Sequence, residues 1–462
     1  MTIPRLVIAG TQTGVGKTTV TLALLAAFRE RGRNVQPFKV GPDFIDPGHH
    51  RLACGRTSRN LDSWMVGEVL SRDIFWRATR DADLAIVEGM MGLFDGTSPV
   101  NDVGSTAEMA KLLAAPVLLV VDGRAMARSV AAMVLGYKQF DSAVRIGGVV
   151  LNRISHVGHY ELLKAAIEKE IGVDVMGYLP SNPDVTIPDR HLGLHMADDD
   201  SDPAMYRRLG QMAASNVNLD LVDRCAQSAA AWSHEILSLG TGVVTKPRPM
   251  KIGVAGDAAF CFYYQDNLEA LQNAGAELRW FSPLHDRRIP EVDVLYLGGG
   301  YPELYARVLQ DNHDMRSSIA RFAGVGGGIF AECGGMMYLC RAIIDFEGQA
   351  YDMVGIIPAE AVMSERQIVM GYRHVMVSTV DKGEEMPLFA VRGHEFHYST
   401  LRSSEHLSYT FQLNDVRGVD KGPDGIRIGN VLGSYTHLYF ARDPEFLEIF
   451  WKLGRCEWTK RG

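Results

Sequence analysis

Four short apolar runs in the first half of the chain, RLVIAG, DLAIVEG, APVLLVVDG and RIGGVVLNR, are separated by stretches of helical length and period such as Thr18–Arg31 and Ala125–Phe140. Each run is rich in β-branched residues and ends in a turn signal, the pattern of a buried parallel strand. Strand, helix, strand order repeated in this way predicts a parallel sheet covered by helices on both faces. In such sheets ligands bind beyond the carboxyl ends of the strands, where these runs meet their polar residues. The alternation fades near AAAWSHEILSLGTGVVTKPRPMK, which Gly240, Gly242, Pro247 and Pro249 punctuate as a linker. It restarts at KIGVAG, with DVLYLGGG and GGGIFAEC as further strands. The expectation is two α/β domains, 1–240 and 250–462, joined by 241–249, with no internal repeat. The acidic ADDDSD at Ala197–Asp202 reads as a solvated loop.

The bulk properties exclude several functions. The chain has 462 residues, more than one ordinary core accommodates, with 47% hydrophobic and 22% charged residues, ample for two cores. A formal charge of −8 leaves no electrostatic footprint for nucleic acid or an anionic membrane. The six cysteines are scattered, without a CxxC pair or metal-ligand spacing, which suits a reducing cytoplasm. The start MTIPRLVIAG lacks a signal-peptide design, and the most apolar run, AAPVLLVV, is far too short to span a bilayer. A cytoplasmic protein is expected.

GTQTGVGKTT follows a strand and opens a helix, the setting of a phosphate-binding loop. Thr13, Gly14, Val15, Gly16 and Thr19 would cradle a nucleotide with their backbone amides. Lys17 would reach the β- and γ-phosphates, and the Thr18 hydroxyl would sit on Mg²⁺. The strict G-x-x-x-x-G-K-[ST] spacing fails, because Thr11 stands where the first glycine belongs and Gly10 comes one residue too early. KVGPDFIDPGHH adds Lys39, Asp43 and Asp46 after a strand, and VEGMMGLFDG adds Glu88 and Asp95. Mg²⁺ takes one or two carboxylates besides phosphate oxygens and water, so acids at neighbouring strand ends suit it. Asp46, Glu88 and Thr18 are expected on the metal, with Asp43 sharing that role and Asp95, further out, on the substrate side. Any one of these acids taken singly could instead cap a helix or a turn, but that reading does not extend to all four together. Asn152, closing GGVVLNR with Arg153, is a candidate to face the adenine.

IFAECGG reads as strand, sharp turn and helix, the outline of a nucleophile elbow with sulfur in place of a hydroxyl. A helix N-terminus at Cys333 should favour the thiolate. His437, in GSYTHLYF, is the candidate base, and Gly299, Gly300 and Gly334 offer amides for an oxyanion. Cys340 reads as an inert core thiol. His394 and His397, in GHEFHYS, read as structural or domain-contact residues sharing one strand face.

These stretches, with FCFYYQDNL, FSPLHD and SYTHLYF, together resemble the cobyrinic acid a,c-diamide synthase family over nearly the whole chain and in the family's order. The first half resembles a dethiobiotin-synthetase type of ATP-binding domain, in which the altered phosphate loop is usual. The second resembles a class I glutamine amidotransferase of the cobyric-acid-synthase subtype. Most class I members carry an acid two residues after the histidine; Tyr439 stands there, as in a subtype with a Cys–His dyad. The resemblance implies that Cys333 and His437 release ammonia from L-glutamine. It also implies that ATP activates a substrate carboxylate as an acyl phosphate, which ammonia then displaces, with Lys39 a candidate to counter the developing charge. The implied substrate is a corrinoid or related tetrapyrrole carboxylate, amidated at its a and c acetates; a homodimer is left open. Two further readings stand at this stage. One keeps the chemistry but takes metal-free hydrogenobyrinate or nickel sirohydrochlorin; the other is a partitioning-type ATPase switch.

Overall fold

The computed structural model describes residues 3–182, 185, 189–190, 193–194, 203–231, 249–366, 369–381 and 384–455. The chain forms two compact units, Met1–Leu237 and Ser238–Gly462. Of the expected linker only Pro249 is among the described residues, and the acidic stretch 197–202 lies outside them.

The first unit is built on seven strands: β1 (Arg5–Gly10), β2 (Val35–Val40), β3 (Arg59–Leu61), β4 (Leu84–Gly92), β5 (Val117–Asp122), β6 (Ile146–Ile154) and β7 (Val175–Pro180). All pair in parallel, in the order β3-β2-β4-β1-β5-β6-β7. Parallel strands need crossovers, and helices supply them, which buries the strands on both faces. Leu6, Ile8, Leu84, Ile86, Leu118 and Val120 accordingly join one apolar core with helix α1 (Lys17–Glu30). The sequence places α1 one residue late, because Lys17 already has helical geometry behind a left-handed Gly16 at φ 95°. The expected helix over Ala125–Phe140 forms only from Ser129. Ala125 itself takes φ 53°, which breaks the turn ahead of it.

The second unit holds a ten-stranded sheet. Its strands are β8 (Met250–Ala255), β9 (Ala276–Phe281), β10 (Val294–Leu297), β11 (Gly328–Glu332), β12 (Val369–Asp381), β13 (Glu384–His397), β14 (Tyr409–Asn414), β15 (Asp420–Ile428), β16 (Val431–Ser434) and β17 (His437–Leu438). The order is β9-β8-β10-β11-β16-β15-β14-β12-β13-β17. The first five are parallel, the α/β half that the apolar runs predict. The remainder is an antiparallel extension that the sequence reading did not resolve. A four-stranded sheet of 340–344, 350–352, 357–363 and 399–402 lies outside it. No described helix is long and apolar enough to cross a membrane. The described cysteines, Cys54, Cys225, Cys261, Cys333 and Cys340, are free thiols.

Candidate functional site

In the first unit the carboxyl ends of β1, β2, β4 and β6 open on one cavity of about 810 Å³. Thr13, Gly14, Gly16, Lys17, Thr18 and Thr19 line its phosphate-loop side, while Val15 turns inward and is buried. Gly16 has two reasons to be glycine. Its φ of 95° is left-handed, and a Cβ there would fall 2.0 Å from Nδ2 of Asn152. Asn152 lines the same cavity and donates from Nδ2 to the Val15 carbonyl at 2.8 Å, so it clamps the loop from β6.

Parallel register sets Lys39 of β2 beside Glu88 of β4. The Lys39 ammonium is the hub of a buried cluster, 2.5 Å from Asp46 Oδ2, 3.0 Å from Glu88 Oε1 and 3.8 Å from Asp43 Oδ2. Glu88 also accepts from the Thr18 hydroxyl at 2.7 Å and faces His50 Nε2 at 2.7 Å. Burial works against the Lys39 charge, but Asp46, Glu88 and Asp43 outweigh it and hold the group well above its ordinary value. Burial likewise opposes the Glu88 charge, and Lys39, His50 and Thr18 reverse that and hold its carboxyl well below the usual range. Burial, with Asp43 and Glu88 nearby, pushes Asp46 up. Lys17 is pushed down to about 8, first by burial and then by Lys39.

The Thr18 hydroxyl and the carboxylates on this cavity are oxygen donors of the kind Mg²⁺ takes one or two at a time. The three acids close around the Lys39 ammonium, however, and among the described residues no group of three acids, histidines or cysteines is set to hold a metal ion by itself. Asp43 also has the capping role open to such an acid, since its Oδ1 accepts from Ile45 and Asp46 amides at the start of helix α2 (Ile45–Cys54). Asp95 stands apart. It is exposed, accepts from the Gly92 amide at 2.9 Å and does not line the cavity. His50 escaped the sequence reading, although its spacing of four from Asp46 on one helix was a usable signal.

In the second unit β11 ends at Glu332, and Cys333 turns the chain into helix α3 (Gly334–Leu339) with φ 44° and ψ −107°. A left-handed non-glycine residue is the backbone signature of an elbow, held here by the Cys333 amide donating to the Ser434 carbonyl at 2.6 Å. His437 arrives on β17, directly opposite His394 of β13. Its imidazole lies on Gly299, where a Cβ would be 2.3 Å from the ring Cε1. The Gly299 carbonyl accepts from the amides of Cys261 and Phe262, both at 3.0 Å. A trans peptide aims its C=O and the next N–H in opposite directions, so the Gly300 N–H points the other way. There its nitrogen is 3.0 Å from the place a Cβ on Gly334 would take. The fold thus gathers Cys333, Gly334, Gly300, Gly299 and His437 through contiguous contacts.

One expectation is overturned. The thiol is not favoured as a thiolate at rest. Burial, then the Glu303 carboxylate, push Cys333 well up, and the Gly334 amide does not offset them. Burial, then His394 and His397, push His437 down to about 3, so the resting pair is neutral. A second correction concerns His394 and His397. An offset of three is odd, so they lie on opposite faces of β13, His394 half-buried and His397 buried. His397 stacks on Tyr435 with ring centroids 3.9 Å apart and pairs through Nδ1 with the Ser399 carbonyl at 2.8 Å. Cys340 is fully buried, as an inert core thiol should be.

Asp424 and Glu332 were missed. Asp424, on β15, accepts from the Ser434 and Thr436 hydroxyls and from the Tyr435 and Thr436 amides, fixing the turn between elbow partner and base. Glu332 accepts from the Leu438 amide. No sequence spacing signals either contact.

Family models match both units: a CobQ/CobB/MinD/ParA nucleotide binding domain over residues 6–194, and a CobB/CobQ-like glutamine amidotransferase domain over 251–445. The chain is 41% identical to the cobyrinate a,c-diamide synthase of Priestia megaterium, over 99% of this chain and 98% of that one. It is 40% identical to the protein of the same name from Picrophilus torridus, covering 97% and 98%. Against that of Methanothermobacter thermautotrophicus the identity is 40%, covering 96% and 98%.

Proposed function

The chain belongs to the cobyrinate a,c-diamide synthase family, and we infer from this that it amidates the a and c acetate carboxylates of cobyrinate using ATP and glutamine. The observation that carries the reading is a likeness running through both units, so that nucleotide domain and glutaminase domain are matched together. A partitioning-type switch has no use for the second unit. Hydrogenobyrinate and nickel sirohydrochlorin have no support among the names of the relatives described.

In the second unit Cys333 Sγ attacks the side-chain carbonyl of glutamine while His437 takes the thiol proton. Because both groups rest neutral, the proton moves only as the new C–S bond forms. Gly299, Gly300 and Gly334, brought together at the elbow, would supply the amides that hold the oxyanion. His437 then passes its proton to the leaving ammonia, and water hydrolyses the thioester to glutamate.

In the first unit a substrate carboxylate oxygen attacks the γ-phosphorus of ATP and ADP leaves. The acyl phosphate so formed is attacked by ammonia at its carbonyl carbon, and phosphate departs. A free carboxylate is too poor an electrophile for direct amidation, which is why the phosphoryl group is needed. Thr13–Thr19 hold the phosphates, Asn152 braces the loop, and Lys17 and Lys39 counter charge on the transferring group. Thr18, Asp43, Asp46 and Glu88 would hold Mg²⁺, which when bound offsets phosphate charge. Asp95, outside the cavity, acts on the substrate side. The free thiols and reducing-type cysteine usage support a cytoplasmic setting.

The test is to supply the purified protein with cobyrinate, ATP, Mg²⁺ and glutamine and follow the products by mass. A diamide is expected, with hydrogenobyrinate and nickel sirohydrochlorin poor substrates. Cys333→Ala and His437→Asn should lose glutamine-driven amidation and keep amidation with free ammonium. Normal glutamine hydrolysis by Cys333→Ala would overturn the nucleophile assignment.

A further inference from the structure

Glu332 is a carboxyl group where an apolar side chain would be expected. Along β11 the side chains alternate, so Phe330 and Glu332 share the face opposite Cys333, and Phe330 is part of a core that includes Tyr296, Leu432, Leu438, Phe440 and Phe446. Glu332 is 2% exposed, and among the described residues no Lys, Arg or His pairs with it. An unpaired carboxyl in an apolar core is costly, and hydrogen bonds must offset the cost. Two do. Tyr296 of β10 donates its hydroxyl to Oε2 at 2.6 Å, and the Leu438 amide donates to Oε1 at 2.8 Å. Leu438 follows His437, and Glu332 precedes Cys333. The carboxyl therefore ties the nucleophile's strand to the base's strand from beneath the site.

Resting on the assignment of Cys333 as nucleophile and His437 as base, we propose that Glu332 is a positioning residue of the glutaminase. Its carboxylate holds the Leu438 amide and so seats the His437 imidazole over Gly299. This fills, from the nucleophile's own strand, the orienting role that the residue two after the histidine cannot fill here, since Tyr439 has no carboxylate. Glu332 acts through the backbone rather than on the ring. The groups that depress His437 are burial, His394 and His397, with no contribution from Glu332.

The link changes with protonation. Burial raises the Glu332 carboxyl to about 7, partly offset by the bonds from Tyr296 and Leu438. The titratable groups facing it are Tyr296 and Tyr263, and Cys333 adjoins it along the chain on the other face; all three are also pushed up by burial. As a carboxylate, Glu332 accepts from both donors with charge assistance. As an acid it still accepts from Leu438, more weakly, while its O–H turns to the Tyr296 oxygen. Glutaminase turnover therefore rises with a step near neutral pH.

Glu332→Gln reproduces the acid form, its oxygen toward Leu438 and its amide toward Tyr296. In this variant the step near neutrality should vanish and kcat for glutamine hydrolysis at pH 8 fall roughly tenfold, the difference between a charged and a neutral acceptor, with KM unchanged. Tyr296→Phe removes a bond that favours the charged form, so its step should move to higher pH by roughly one unit. It also serves should the first variant not fold. A Glu332→Gln profile that keeps the wild-type step and kcat, or a Tyr296→Phe step that does not move, overturns the proposal. A wild-type protein that hydrolyses no glutamine at any pH would instead remove the Cys333–His437 assignment on which it rests.

Discussion

The imidazole of His437 lies on the backbone of Gly299 so closely that a single methyl group could not be placed between them, the Cε1 being 2.3 Å from where that carbon would sit. The same glycine turn meets the elbow, because Gly300 backs onto Gly334. Nucleophile and base, 104 residues apart from Cys333 to His437, are thus held through one turn of backbone.

Gly299→Ala should therefore displace the ring from Cys333. A misplacement of about 1 Å at a reacting group costs roughly 10²-fold in rate. Glutamine hydrolysis should fall by that order while ammonium-driven amidation stays near wild type. Parallel assays with the two nitrogen donors check this, and an equal fall in both would mean general damage.

Glu88 touches Thr18, Lys39 and His50, whereas Asp95 lies outside the cavity. Glu88→Gln should weaken Mg²⁺ dependence and phosphoryl transfer together. Asp95→Asn should spare nucleotide binding and impair amide formation. Titrating Mg²⁺ while following ATP turnover separates them; matching profiles with equal losses of ATP affinity would end the division of roles.

Asp424 is a buried carboxylate with two hydroxyl and two amide donors. Asp424→Asn leaves some of these without an acceptor, which should cost about 3 kcal/mol of stability in urea unfolding of the full chain. Glutaminase activity should fall as well, since the turn from Ser434 to Thr436 sets both the Cys333 amide and the entry to His437.

The raised Glu332 carboxyl has a stability signature of its own. Its ordinary value is 4.5 and its folded value about 7, so between these the native state keeps a proton that the unfolded chain has released. Stability contributed by this group is present below pH 4.5 and is lost as pH rises through about 7. The loss is about 3 kcal/mol on the scale of 1.36 kcal/mol per pH unit. Denaturant unfolding of wild type and Glu332→Gln across that window should show the variant free of this decline; identical slopes would refute it.

Much of this molecule is legible in its residues. The four runs of the first half became β1, β4, β5 and β6, because a strand buried on both faces must be continuously apolar and carries that mark in one dimension. GVGKTT likewise forms a left-handed glycine and a helix N-terminus, both local effects. The elbow at Cys333 follows from strand, small residues and helix in succession. The antiparallel strands β12 to β15 were less visible, since alternation with a half-exposed face leaves a weaker signal among glycines and charges.

What the sequence determined by itself was the set of chemical groups and the local geometry that presents them: phosphate loop, elbow, strand-end acids and distant histidine. What only the tertiary structure decided was their state and their company. Lys39 became the centre of the acids on the cavity, because parallel register put β2 against β4. Cys333 became a resting thiol rather than a thiolate, because burial outweighed a helix of six residues. Glu332 acquired Leu438, and Asp424 its turn, through contacts across strands. Charge state depends on desolvation and on neighbours a few ångströms away, and both are set by distance in space, which spacing along the chain does not encode.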